Sequence, residues 1–243
     1  MSGFNLKSSP ASRVWLEPHR LIAGGKTLPL DGLPSEEAIA HSLQALPQGP
    51  TSWIVDDLWA PSVLLRDMVA VPSSTEAQDS FFRWKFTTSL ALEAPFSVQA
   101  LDLGEGAWLL AGIREDLRES WLQTALRVGR PMHSLLPRWL HLYNRLAPNL
   151  DLPGMLLSLC PHPEGGLTGT LAAWGRNLTL LRQWADPAEP QAWMDERIAP
   201  TAAYMHRESK PPQELWIWGA PSWPEGEIPQ RMMQPEISAQ EAF

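Results

Sequence analysis

The stretch RVWLEPHRLIAGGKTLPL, residues Arg13–Leu30, decides the fold. It holds three short apolar runs, Arg13–Leu16, Arg20–Ala23 and Thr27–Leu30, each too short for a helix. Pro18-His19 and Gly24-Gly25 separate them with turn chemistry, so the spacing predicts three consecutive strands. A helix should follow, because Ser35, Glu36 and Glu37 supply N-terminal chemistry and Ile39, Leu43 and Leu46 share one face. Pro47 and Pro50 close it, and Trp53–Val55 reads as the next strand. The same pattern recurs near the other end. Met155–Cys160, Gly166–Ala173 and Asn177–Trp184 are three strand candidates separated by Gly165-Gly166 and Gly175-Arg176-Asn177. A helical segment from about Glu189 to Arg207 follows, interrupted at Pro200, and Leu215–Trp218 is the final apolar strand. A strand–turn–strand–turn–strand unit followed by a helix and a strand, present twice, predicts an α/β fold of two similar halves with parallel pairing across a helical crossover.

Between the halves, Val63–Val71 reads as a strand ending at Pro72. Ser73-Ser74-Thr75-Glu76 is a capping-box pattern that opens a helix running to about Leu92. This helix carries Phe81, Phe82, Trp84 and Phe86 on more than one face, the pattern of a helix that offers a surface to a partner or is sandwiched. Phe96–Leu103 and Ala107–Gly112 form a hairpin around Gly104-Glu105-Gly106. Leu117, Trp121, Leu122 and Ala125 mark a helix that stops at Gly129. A short strand near Pro131–Ser134, a helix over Leu136–Leu146 and a linker from Pro148 to Pro153 complete the middle. The first ten residues are polar, and beyond Ala220 the chain is dominated by Pro, Glu, Gln and Ser; both ends are expected to be flexible.

The 243 residues are 44% hydrophobic and 19% charged, which fits a globular body. The formal charge of −8 speaks against non-specific binding to nucleic acid or an acidic membrane. Cys160 is the only cysteine, so an intramolecular disulfide is impossible and a reducing compartment is the simplest fit. The sequence shows neither a signal-peptide pattern nor an apolar run long enough to span a bilayer, which predicts a cytoplasmic protein held at a membrane only through a partner.

The duplicated layout is that of the actin-like (RNase H-like) superfamily, and particular segments resemble one branch of it, the type IV pilus assembly family PilM. Val63-Leu64-Leu65-Arg66-Asp67 to Val71-Pro72, with the capped helix Ser73 to Phe86, looks like that family's arginine-bearing strand and the opening of its inserted subdomain. Gly175-Arg176-Asn177-Leu178, Leu181-Arg182-Gln183 and the late helix Arg197 to Tyr204 resemble its second lobe. The cytoplasmic domain of the type II secretion protein GspL shares the fold, but GspL continues into a transmembrane helix that this sequence lacks. The resemblance covers roughly residues 10 to 220. It implies a flexible start over 1–10, a first actin-like lobe over 11–148 with an inserted subdomain at about 73–134, a reduced second lobe over 154–219, and a flexible acidic tail over 220–243.

Nucleotide-binding actin-like proteins present Asp-x-Gly at the start of each half, where the glycine admits the phosphates and the acid orders the water shell of the metal. The first equivalent position here reads Leu16-Glu17-Pro18-His19, and Pro18 removes an amide donor. The second reads Leu159-Cys160-Pro161-His162-Pro163-Glu164, with no aspartate. The adenosine loop is reduced to Gly219-Ala220-Pro221. Glu17, Pro18, His19, Pro161, His162 and Gly219 are therefore the degenerate nucleotide-site positions, and the expectation is a pseudo-ATPase without cofactor or catalytic residues. In its place the resemblance implies a scaffold at the inner membrane of a type IV pilus or secretion system. It would bind the cytoplasmic tail of a PilN-like partner, with Phe81, Phe82, Trp84 and Phe86 as candidate contact residues and a homo-oligomer compatible with that role. The competing class is an actin-like or sugar-kinase-like phosphotransferase, which needs convergent carboxylates facing a cleft.

Three other patterns have plainer readings. Asp56-Asp57 could serve acid–base chemistry or hold a metal, but alternation along a strand points them to opposite faces, so a solvated strand end is expected. Cys160-Pro161-His162 offers two ligands but no zinc spacing. Gly24-Gly25-Lys26-Thr27 lacks the length of a phosphate loop and reads as a hairpin turn.

Overall fold

The computed structural model describes residues 12–146, 151–162, 165–220 and 223–233. These divide into two compact units, one made of 12–55 with Glu119–Leu136, the other of Asp56–Arg118 with 137–233. The expected flexible start, residues 148–150 of the Pro148–Pro153 linker, and 221–222 and 234–243 of the expected tail lie outside the described residues.

In the first unit, β1 (Ser12–Glu17), β2 (Arg20–Ala23) and β3 (Lys26–Pro29) form the three-strand antiparallel array that the opening stretch predicts. Next comes α1 (Glu36–Gln44), whose N-cap Ser35 accepts from the Ala38 amide at 3.2 Å. Ile39 and Leu43, one turn apart, are fully buried. β4 (Thr51–Val55) then pairs in parallel with β1. Trp53 of β4 donates its indole N–H to Thr51 Oγ1 at 2.9 Å and stacks on Trp121 at 5.9 Å between ring centroids.

The chain then builds a three-stranded sheet in the second unit, ordered β5-β7-β6, from β5 (Ser62–Leu65), β6 (Phe96–Gly104) and β7 (Ala107–Arg114). β5 is shorter than the Val63–Val71 reading. Asp67 takes φ 55°, a left-handed conformation that ends the extended run, and Met68 N–H is anchored on the Gly106 carbonyl at 3.0 Å. α2 (Thr75–Ser89) is capped by Ser74, which accepts from Ala77 N. That places the cap one residue later than the Ser73–Glu76 box requires.

α3 (Glu115–Arg127) leads to β8 (Met132–Pro137), which lies beside β4 and completes the first sheet in the order β3-β2-β1-β4-β8. α4 (Arg138–Leu146) precedes the second large sheet. There β9 (Gly154–Pro161), β10 (Leu167–Trp174) and β11 (Leu178–Ala188) are antiparallel neighbours. β9 is buried from Gly154 to Cys160 and β10 along its whole length. Their near-continuous apolar runs are the signature of strands covered on both faces.

The crossover consists of α5 (Pro190–Ala192), a π-helical turn over Trp193–Ile198 and α6 (Ala199–Arg207). The wide turn resets the register so that Pro200 falls in the first turn of α6, where its missing amide has no partner to lose. Within the turn, the Arg197 guanidinium lies 4.1 Å from the Trp193 ring and 5.1 Å from Trp184, and bonds to Asp186 at 2.8 Å. β12 (Glu214–Trp218) pairs in parallel with β9. β13 (Gln230–Met232) pairs in parallel with β12, so part of the stretch expected to be loose is a strand that takes up the open β12 edge. The sheet order is β11-β10-β9-β12-β13. Counted by appearance within its own sheet, each of the two large sheets reads third, second, first, fourth, fifth.

Candidate functional site

The β1–β2 turn is the first of the positions singled out in the sequence. Glu17 closes β1 and is only 2% exposed. Its Oε2 accepts from Arg20 Nε at 2.6 Å and lies 3.5 Å from His19 Nε2. Pro18 offers no amide, and the carbonyls of Pro18 and His19 accept from Gly32 N and Leu30 N, each at 2.9 Å. The turn thus presents a carboxylate already held by a guanidinium, a charge-assisted contact of the strong kind.

Pro161 and His162 sit at the end of β9, in the other unit, and Pro163 and Glu164 lie outside the described residues. His162 N–H bonds the Gly166 carbonyl at 3.1 Å and Gly165 N–H bonds the His162 carbonyl at 3.0 Å, so these amides are spent within the turn. Gly219 follows β12 with φ +88°, and a Cβ there would overlap the backbone carbonyl of Leu159. Pro161, His162 and Gly219 therefore gather at one end of the β9–β12 pair. Among the described residues no three His, Cys, Asp or Glu side chains gather to hold a metal ion. Cys160 is buried in β9.

The four aromatic residues of α2 part company. Phe82 and Phe86, one turn apart, are buried with Phe96 and Leu110 of the three-stranded sheet. The Phe82 ring is 4.5 Å from Trp108 and the Phe86 ring 5.6 Å from Phe96. Gly112 leaves room for Phe86, whose ring would stand 2.7 Å from any Cβ added there. Phe81 is half-buried at the margin of this core, and Trp84 is 57% exposed with Lys85 Nζ 5.0 Å above its ring. Beside Trp84 runs an open groove of about 420 Å³, in which Glu76, Asp79, Arg83 and Trp84 of α2 face Pro95 and Phe96 at the start of β6. Arg83 is paired with Glu115 at 3.3 Å.

A polar cluster in the second unit was read only in part, since the sequence singled out Asp56-Asp57 but not Arg138 or Ser158. Asp56 and Asp57 follow the end of β4 in a turn, where strand alternation no longer applies, and both are buried rather than solvated. Arg138 Nη1 meets Asp56 Oδ2 at 2.8 Å, and Arg138 Nε donates to Ser158 Oγ at 2.9 Å. Ser158 in turn donates to Asp57 Oδ2 at 3.0 Å, and Asp57 Oδ1 accepts from Trp139 N at 3.0 Å. Burial pushes the Asp57 carboxyl up to about 6, against the pull of Arg138 and with a further push from Asp56. The network ties the turn after β4 to α4 and β9. A further signal was Arg138 itself, which shares the face of Leu142 and Leu146 at one-turn intervals, an arginine where an apolar residue is expected.

Two five-stranded sheets of identical strand order, each opening with a three-strand antiparallel array and continuing with a strand parallel to the first, define the actin-like class of fold. Solved structures share it. The chain is similar to a chain of a PilM-PilN type IV pilus biogenesis complex, with TM-score 0.61 and 12% identity, over 87% of this chain and 82% of that one. It is also similar to the cytoplasmic domain of EpsL, an inner membrane component of the type II secretion system of Vibrio cholerae, with TM-score 0.52 and 9% identity, over 96% and 91%. No family model matches the chain, and no curated protein matches its sequence. Among the described residues no helix is long and apolar enough to cross a membrane.

Proposed function

We propose that the chain is a non-catalytic scaffold of a type IV pilus or type II secretion assembly platform. It works on the cytoplasmic side of the inner membrane, where the cytoplasmic segment of a PilN-like membrane protein holds it. α2, β6 and β7, within the stretch of about 73–134, belong to the inserted subdomain of the actin-like architecture, and the half-buried Phe81 and exposed Trp84 of α2 form the contact region. Phe82 and Phe86 support it from the core.

The observation that carries this reading is the β1–β2 turn. An actin-like ATPase needs a free carboxylate beside open backbone amides to order a hydrated metal and its phosphates. Here Arg20 holds Glu17, and Pro18 takes the place of an amide donor. The fold is retained while the chemistry of its first phosphate turn is occupied from within. Titration of the purified chain with Mg-ATP by calorimetry tests this. The expected result is no saturable heat at about 1 mM nucleotide; a dissociation constant below about 100 µM would instead put the phosphotransferase class first.

A further inference from the structure

We propose that the pocket between the β2–β3 hairpin and α1 binds a small phosphate monoester, whose phosphoryl group Lys26 and Ser42 hold. All its lining residues belong to the first unit, and none is a nucleotide-site position or part of the α2 contact region. The inference goes beyond the scaffold reading.

Hairpin and helix build the pocket between them. Lys26 pairs with Ala23, and Leu28 with Leu21, across the β2–β3 ladder. Side chains two apart on a strand share a face, so Lys26 and Leu28 stand on one side of β3. His41, Ser42 and Gln44 of α1 line the same space, which measures about 320 Å³. That is the small end of the range for ligand sites, room for a phosphate on a short carbon chain rather than for a nucleotide. Gly24-Gly25 remains the hairpin turn that its sequence predicts. It brings the Lys26 ammonium to the helix instead of forming a cradle of amides.

The chemistry of the lining selects the ligand. No acidic residue lines the pocket, in a chain whose formal charge is −8. Among the described residues the side chains of Lys26 and His41 have no ionic or hydrogen-bonding partner. Ser42 is only 8% exposed, yet its hydroxyl also bonds no group among the described residues. Buried hydroxyls ordinarily find a partner, and a helical serine ordinarily turns back on the carbonyls of its own helix. An unpartnered serine that lines a pocket therefore marks a place for an acceptor carried by a ligand. A dianionic phosphoryl group offers acceptors alone, and takes charge-assisted bonds from an ammonium and a hydroxyl. The C-terminal end of a helix opposes an anion when its carbonyls are bare. At this end of α1 they are engaged. Ser42 and Leu43 carbonyls accept from Ala45 N and Leu46 N, and the Leu46 carbonyl accepts from Arg130 Nε and Nη2 at 3.1 and 2.6 Å. The Arg130 guanidinium thereby adds positive charge beside the end of the helix. Ala23 and Leu28 supply the apolar part of the lining for the carbon chain.

Calorimetry of the full chain with glycerol 3-phosphate tests the proposal, with glycerol as the neutral control. Saturable binding of the ester is expected, with a dissociation constant on the order of 1 mM or tighter, and none of glycerol. Lys26→Ala should weaken it roughly tenfold or more, and Ser42→Ala roughly threefold or more. Ser42→Ala removes a hydroxyl with no bond to lose and places a better helix former in α1, so its urea midpoint should equal or exceed that of the parent chain. A merely structural Ser42 would lower the midpoint and leave binding unchanged. Absence of saturable heat up to about 10 mM ester overturns the proposal. Binding that survives both substitutions overturns it as well, because the ester then sits elsewhere. So does co-sedimentation with phosphatidylglycerol vesicles that Lys26→Ala abolishes while the free ester does not bind, which would put a lipid headgroup in the pocket instead.

Discussion

Asp57 titrates near 6 in the folded chain against an ordinary value of 3.8. Between those values the folded state keeps a proton that the unfolded state has released. The contribution of Asp57 to stability is therefore whole below the unfolded value and is lost as pH rises through about 6, by on the order of 3 kcal/mol. The groups facing it are Asp56, Arg138, Ser158, Thr170 and the Trp139 amide. Asp57→Asn keeps a neutral acceptor for Trp139 and imitates the protonated acid. Urea midpoints at pH 5 and pH 8 should differ less in this variant than in the parent chain, with the variant gaining relative to the parent at pH 8. Equal slopes in the two chains would mean that Asp57 is not the titrating group. Sequence alone left this network hidden, because Trp139 and Ser158 lie 82 and 101 positions from Asp57 and nothing local marks them as its partners.

At the scale of elements, α2 separates stability from recognition. Removing the Phe86 side chain empties a fully buried site over Gly112 and should cost about 3–5 kcal/mol. Trp84→Ala removes a largely exposed ring and should change stability by no more than about 0.5 kcal/mol while weakening partner binding. Chemical denaturation of both variants checks the pair, and a large loss of stability from Trp84→Ala would place that ring in the core. The sequence made the start of the helix and its cap visible to within a residue, because an N-cap serine and an aromatic run are local signals, but it read the end at about Leu92, three residues past Ser89. It could not say which aromatic faced inward, since the spacing of Phe82 and Phe86 becomes informative only once the sheet beneath them is known. β5 ended early for a similar reason. The left-handed Asp67 is stabilised by contact with the hairpin at Gly106, some forty residues away in the chain.

For the whole molecule, the repeated strand order was legible because turn glycines and prolines punctuate continuous apolar runs in both halves. β13 was not, because Gln230-Arg231-Met232 has no strand pattern and is held by the exposed backbone of β12. Amide exchange should follow the sheet positions. Amides of β1 and β9, each flanked by strands on both sides, should exchange slowest, and those on the open side of β6 should exchange within the dead time. Protection along β6 equal to that of β9 in the isolated chain would show its edge already covered. The stacked indoles of Trp53 and Trp121 lie only 22° from parallel and both belong to the first unit. Two chromophores held so close couple their transitions, so the unit carries its own optical signature. Following that signature during unfolding reports when the first sheet loses its packing, separately from the tryptophans of the second sheet.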